Sequence, residues 1–342
     1  MLRELEIIVT MMFVAILSPA LLLAQNVKIT PLGSHEGEFC QNDRAMLFED
    51  PTGVRILYDA GQTVAGATDP RLGDVHVILL SHAHNDHIGG TKAAGLNAGT
   101  CNKPQTVSAT PNSNTAEIAA AKNSAIMTSR PMTVFLNKKI QNIRGAATVE
   151  CPAVGVPRAT TVPTSSPCLA GRPLGATWIF RVYTASAGVE VAPVRADHDN
   201  TVGRNLITDS GKVILDNEGL TAYVGDAIGY ILTFTNGLKV YLSGDTGLMS
   251  DMKTIINGFY KAKLTVMNMS TPDKAAFAIN ELIQPNAVIP SHANEAATAG
   301  GKVEPGTRTR QFIDLVKDRP VHVPLSGKTM EFDGQASCVR GC

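Results

Sequence analysis

Between residues 75 and 90 the chain reads VHVILLSHAHNDHIGG, an apolar run followed at once by three histidines and an aspartate within six positions. A short apolar run bounded by turn residues is a buried strand, so His82-Ala83-His84-Asn85-Asp86-His87 begins where that strand ends. A loop leaving a strand end aims alternate side chains into one cleft. Imidazole nitrogens with a carboxylate form the ligand set of zinc and other first-row dications. Four donors so close together exceed one tetrahedral site that must also admit a water, and a second metal accounts for the surplus.

Three later donors complete such a pair of sites: His198 in VRADHDN, Asp245 in YLSGDTG and His292 in VIPSHANE. Each follows an apolar or β-like run, so all three converge with the first loop at one edge of a layered structure. The alternation of β-rich and helical stretches predicts an α/β architecture. NVKITPLG, RAMLFED, VRILYDA and VHVILL read as strands, and GGTKAAGL as the start of a helix. In the second half AYVGDAIGYILTF, LKVYLSGD, KLTVMNM and NAVIPSH read as strands, with helical apolar spacing over Lys274 to Ile283 and Thr307 to Val316. Residues 99–175 are rich in Thr, Ser, Ala and Pro and read as an insertion or lid.

The HxHxDH signature with Gly89-Gly90, the ILYDAG strand ending at Asp59, SGDTG around Asp245 and the late PSH at His292 resemble the metallo-β-lactamase fold superfamily of hydrolases. The resemblance implies an α/β (α+β) fold, a four-layer αβ/βα sandwich of two similar halves carrying the Cys- and Pro-containing insertion, with metals at one edge between the sheets. It implies that His82, His84 and His198 hold a first divalent ion and that Asp86, His87 and His292 hold a second, with Asp245 as the bridge. Zinc is the default from ligand type, with manganese or iron as alternatives. Two such ions about 3.5–4 Å apart acidify a bridging water and polarise a carbonyl or phosphoryl oxygen, so no serine or cysteine nucleophile is required. Asp86 and Asp245 are the residues expected at the reacting centre. His35, His76 and His322 read as ordinary polar positions, and Asp59 as a residue that orients a ligand histidine.

Lys plus Arg equals Asp plus Glu at 30 each, so no global field points to nucleic acid, and a small molecule is the expected partner. The complete donor set resembles the branch of lactonases, thioesterases and phosphodiesterases more than the β-lactamases proper. An ester or lactone is the first expectation, a phosphodiester the second and a β-lactam the third. A di-iron redox role and a purely structural metal rank behind hydrolysis. No arginine cluster suited to a phosphorylated substrate stands out: Arg195, Arg204, Lys302, Arg308 and Arg310 read as solvated surface.

The apolar run Ile7 to Leu17 followed by Ser18-Pro19-Ala20 reads as a signal peptide over residues 1–24, with polar sequence beginning at Gln25. That predicts a periplasmic or secreted protein with no stable membrane partner after cleavage, an uncleaved anchor over Ile7 to Ala24 being the alternative. The hydrolase domain is then 25–337, with a Cys-containing tail over 338–342. The six cysteines suit an oxidising compartment. They allow fifteen pairings; Cys151 with Cys168 and Cys338 with Cys342 are favoured by proximity alone.

Overall fold

The computed structural model describes residues 26–342, and the leader expected over 1–24 lies outside the described residues. In chain order the main strands of the first half are β1 (Val27–Pro31), β2 (Met46–Glu49), β3 (Arg55–Tyr58), β4 (Val77–Leu79), β5 (Ala125–Ser129), β6 (Val149–Glu150), β7 (Arg158–Val162) and β8 (Cys168–Arg172). Those that follow are β9 (Trp178–Val182), β10 (Val189–Arg195), β11 (Ile228–Thr233), β12 (Lys239–Leu242), β13 (Leu264–Asn268), β14 (Ala287–Ser291), β15 (Met330–Phe332) and β16 (Cys338–Arg340). They form a nine-stranded sheet, β6-β8-β5-β4-β3-β2-β1-β15-β16, and a seven-stranded sheet, β7-β9-β10-β11-β12-β13-β14. β3, β4, β5 and β8 run parallel, as do β12, β13 and β14.

Side chains alternate across a strand, and the apolar residues here divide accordingly. Ile56 and Tyr58 of β3, Val77 and Leu79 of β4, Tyr230 and Leu232 of β11, and Val240 and Leu242 of β12 meet in one core between the sheets. Leu57 and Ile78 face the opposite way, onto Ile118, Met132, Leu136 and Ile140 of two helices. Ile231 and Tyr241 face outward from the other sheet onto Ile279 and Phe312. Both faces of each sheet are therefore covered, and the layers run helix, sheet, sheet, helix as expected. The helices are α1 (Asn85–Ile88), α2 (Asn114–Lys122), α3 (Arg130–Arg144), α4 (Asp209–Glu218), α5 (Pro272–Phe277) and α6 (Arg308–Leu315). Among the described residues no helix is long and apolar enough to cross a membrane.

The structure departs from the sequence reading at three places. Residues 99–175 are neither lid nor insertion in the core sense: they supply β5, which lies between β4 and β8, and Ala125, Met127, Cys151 and Cys168 are part of the inter-sheet core. Their small and polar residues concealed this because short central strands flanked by loops leave a weak periodic signal. GGTKAAGL carries a short strand, Thr91–Ala93, paired with Thr106–Ser108; the helix lies earlier, inside the histidine cluster itself. Of AYVGDAIGYILTF only Ile228–Thr233 is strand, since Gly225 takes a φ of +88° and breaks the run.

Three disulfides join Cys40 to Cys101, Cys151 to Cys168 and Cys338 to Cys342. The first closes a separation of 61 residues and the second one of 17. By the loop-entropy relation these bonds stabilise the fold by roughly 4 and 3 kcal/mol respectively. Urea unfolding with and without a thiol reductant is expected to show a lower midpoint in the reduced protein and a loss of unfolding free energy of that order; superimposed curves would contradict it.

Candidate metal centre

The seven expected donors lie in the segments that leave the C-terminal ends of β4, β10, β12 and β14, and Asp59 follows β3. Ligands of open α/β sheets gather at this edge. The signature itself folds into the one-turn helix α1, with His84 at its N-cap and Gly89 closing it in the left-handed region at φ +77°. This turn places Asp86 and His87 side by side. A Cβ on Gly89 would lie 2.4 Å from the Gly61 carbonyl oxygen, so glycine is required for the turn to close against the Asp59 loop.

All seven donors converge in two groups whose ligand atoms lie within 4.8 Å of one another: His82, His84 and His198, and Asp86, His87, Asp245 and His292. Asp245 Oδ2 is the common point. It stands 2.8 Å from His292 Nε2, 3.3 Å from His87 Nε2, 3.7 Å from His198 Nε2 and 3.9 Å from His82 Nε2. Asp86 Oδ2 lies 3.4 Å from His292 Nε2 and 3.6 Å from His87 Nε2.

The surrounding hydrogen bonds set which nitrogen of each ring is free. The buried Asp59 carboxylate accepts from His87 Nδ1 at 2.7 Å, and from the Ser81 amide and hydroxyl at 2.8 and 2.7 Å. Because the Ser81 hydroxyl donates to Asp59, its oxygen accepts from His82 Nδ1 at 2.9 Å. Both rings then present an unprotonated Nε2 inward once a cation is bound. His82 Nε2 and His87 Nε2 are buried with no hydrogen-bond partner, which in a protein interior requires compensation. A cation at these points satisfies them, so the residues present fit a divalent metal. Ser81, held by Asp59 and fully buried, has no access to a substrate and is not a nucleophile.

Electrostatics agree with that fit. Burial, reinforced by the charge of His87, pulls the His82 imidazole well below its usual range. For His87 burial opposes a charge, but Asp245, Asp86 and Asp59 together outweigh it and hold the ring well above its usual range. Asp86 and Asp245 are likewise buried, yet His87 and His292 keep both carboxyls well below the usual carboxylate range. The cluster stays anionic at its centre and ringed by imidazoles, and a cation there displaces the proton shared among them.

Four residues of the surround carried little signal in the sequence. Arg44, 2% exposed, donates from Nε to Asp86 Oδ2 at 3.1 Å and from its terminal nitrogen to Asn294 Oδ1 at 2.6 Å. Asn268 Nδ2 donates to Asp245 Oδ1 at 2.8 Å. Asn200 Oδ1 accepts from the Ala83 amide at 2.7 Å, pinning the loop between His82 and His84. Asp199 Oδ2 lies 3.3 Å from His84 Nε2, while His84 Nδ1 turns to His198 at 3.2 Å. Of these only Asp199, beside His198, could have been inferred from its neighbour. Asp59 orients His87 as expected. His35 bonds Ser34, His76 accepts from the Arg55 amide and His322 packs on Phe332; none of the three enters the cluster.

Residues 54–307 match the family model described as Beta-lactamase superfamily domain. The chain is 36% identical over 157 residues to a protein of Polynucleobacter asymbioticus named a metal-dependent hydrolase, covering 44% of this chain and 50% of that relative. It is 26% identical over 294 residues to a metal-dependent hydrolase of Cupriavidus necator, covering 82% and 81% of the two chains. A metallo hydrolase of the hyperthermophilic archaeon Ignicoccus hospitalis superposes with a TM-score of 0.53 at 18% identity, over 90% of this chain and 99% of that one, and so shares the fold.

Proposed function

From the premise that this chain belongs to the Beta-lactamase superfamily domain family and is a metal-dependent hydrolase, we propose that it hydrolyses a carboxylic ester or lactone with two divalent ions, zinc by ligand type. The observation that carries this reading is the convergence of four imidazole Nε2 atoms on Asp245 Oδ2. His82, His84 and His198 would hold one ion, Asp86, His87 and His292 the other, and Asp245 both. When bound, such ions supply an acidified water as nucleophile and positive charge beside the substrate's carbonyl oxygen.

The chain's own residues do the rest. Asp59, through His87 and Ser81, fixes two rings in the orientation the centre needs, and Asn268 holds Asp245 to its shared position. Asp86 has a side chain one quarter exposed, so its Oδ2 is placed to hold a proton of the attacking water and to release it toward the leaving group. Arg44 anchors that carboxylate from the buried side.

Support for a carboxylic substrate with an apolar arm comes from a cavity of about 420 Å³ lined chiefly by apolar side chains, Leu174, Val194, Met249 and Ile256 among them, with Arg195 and Asp251 also in its wall. It opens beside β10 and the loop after Asp245, which are tied together by the Gly247 amide on the Asp197 carbonyl at 3.0 Å. Export to an oxidising compartment is part of the same reading, supported by the three disulfides.

Acid release from a lactone panel is the test, run beside an activated phosphodiester on the zinc-loaded protein. Lactone opening that chelation reduces to background and zinc restores is the expected result. Phosphodiester turnover with inert lactones would reassign the reaction.

A further inference from the structure

At the same sheet edge a second cavity of about 390 Å³ is lined by Arg130, Arg158, Arg172, Thr133 and Glu150. None of these arginines is among the basic residues that the sequence reads as solvated surface; of the latter, Arg204 and Arg310 pair with Asp216 and Asp314 at the surface. The buried Trp178 acts as a platform for two of the three. The Arg172 guanidinium lies 4.4 Å and that of Arg158 5.7 Å from its ring centre, and the indole is itself pinned by a 2.9 Å hydrogen bond to Thr160.

Three guanidinium groups around one hollow repel each other unless anions offset them. Glu150 pairs with Arg158, whereas Arg130 and Arg172 form no ion pair among the described residues, and Arg172 Nε is buried with no hydrogen-bond partner. Arg130 and Thr133 also belong to the first turn of α3, whose N-cap Ser129 makes no side-chain capping bond, so unpaired backbone N–H groups of a fifteen-residue helix add to the positive field.

The sheet register locates this hollow relative to the metal cluster. Leu79 pairs with Met127 on β5, and Ser129 of β5 pairs with Arg172 on β8. Arg172 therefore lies at the level of Ser81, next to His82, across two strand spacings, roughly 10 Å. The two cavities adjoin through consecutive residues, Pro173 lining the basic one and Leu174 the apolar one.

Resting on the ester or lactone reading above, we propose that the Arg130–Arg158–Arg172 cavity binds an anionic group, carboxylate or phosphate, carried by the substrate at a distance from its scissile bond. The natural substrate is then an amphipathic ester with one apolar and one anionic arm. Arg172 contributes a planar fork suited to a carboxylate or phosphate edge.

The zinc-loaded protein is assayed with two 4-nitrophenyl esters of equal chain length, the suberate monoester ending in a carboxylate and the octanoate ending in a methyl group. The parent is expected to prefer the suberate, and Arg172→Gln to lower the suberate-to-octanoate ratio of kcat/KM by about tenfold, chiefly through KM. Arg172→Lys should recover part of the ratio. Titration of the same proteins with inorganic sulfate reads the cavity independently of turnover, and Arg172→Gln is expected to weaken it about tenfold. If neither ester turns over, the ester reading fails while the sulfate titration still decides whether the cavity holds anions. Arg172-dependent sulfate binding with an unchanged ester ratio would overturn the substrate assignment in favour of a free anion. An unchanged ratio with unchanged sulfate affinity would overturn the site altogether.

Discussion

Replacing Asp245 with alanine is expected to lower kcat/KM on an activated ester by more than about a thousandfold and to reduce the metal retained per chain. Outer partners of metal ligands typically carry a ten- to hundredfold effect, and Asp245 is the group on which both donor clusters close. Its Oδ2 faces His82, His87, His198 and His292 within 3.9 Å. Without it Asp86 would be the one carboxylate left among the seven candidate donors, and Asn268 Nδ2 would lose its acceptor. Asp245→Asn, which keeps the shape, should retain more metal than the alanine variant while still losing most turnover. Metal analysis by mass spectrometry, with a thermal melt to show that each variant folds, separates loss of the centre from loss of the fold. An alanine variant with parental rate and metal content would remove Asp245 from the centre.

Asp86→Asn is expected to behave differently: metal content close to the parent's and kcat lower by about 10² or more, the range for a positioned proton-transfer group. The amide keeps an oxygen where Asp86 Oδ2 stands but gives up the charge that Arg44 holds in place at 3.0 Å. Asparagine cannot accept and release a proton at that atom. His87, His292 and Arg44 hold the Asp86 carboxyl well below its usual range against the effect of burial, so the group remains ionised across the working pH range and its loss is felt at every pH. If the variant keeps both its metal and its full rate, Asp86 has no role in proton transfer and serves as a ligand alone.

Much of the centre was legible without coordinates because metal ligation is a matter of donor type and strand-end position, and both are local. The HxHxDH loop, the aspartate of SGDTG and the histidine of PSH each announce themselves within a few residues of an apolar run. VRILYDA and LKVYLSGD were likewise legible as strands, Arg55–Tyr58 and Lys239–Leu242. Residues 99–175 were misread because β5 is five residues long and its neighbours in the sheet come from distant parts of the chain.

What the sequence determined by itself was therefore the candidate donor set, seven His and Asp side chains in their order, and a layered fold able to bring strand ends together. What only the tertiary structure decided was everything set by register between distant strands. Arg44 meets Asp86 across 42 positions and Asn294 across 250, and Arg158 and Arg172, from separate strands, gather on one tryptophan. No periodicity records such contacts, because they arise from how β4, β5 and β8 align and how the two sheets stack, and that alignment is fixed by packing of the whole core.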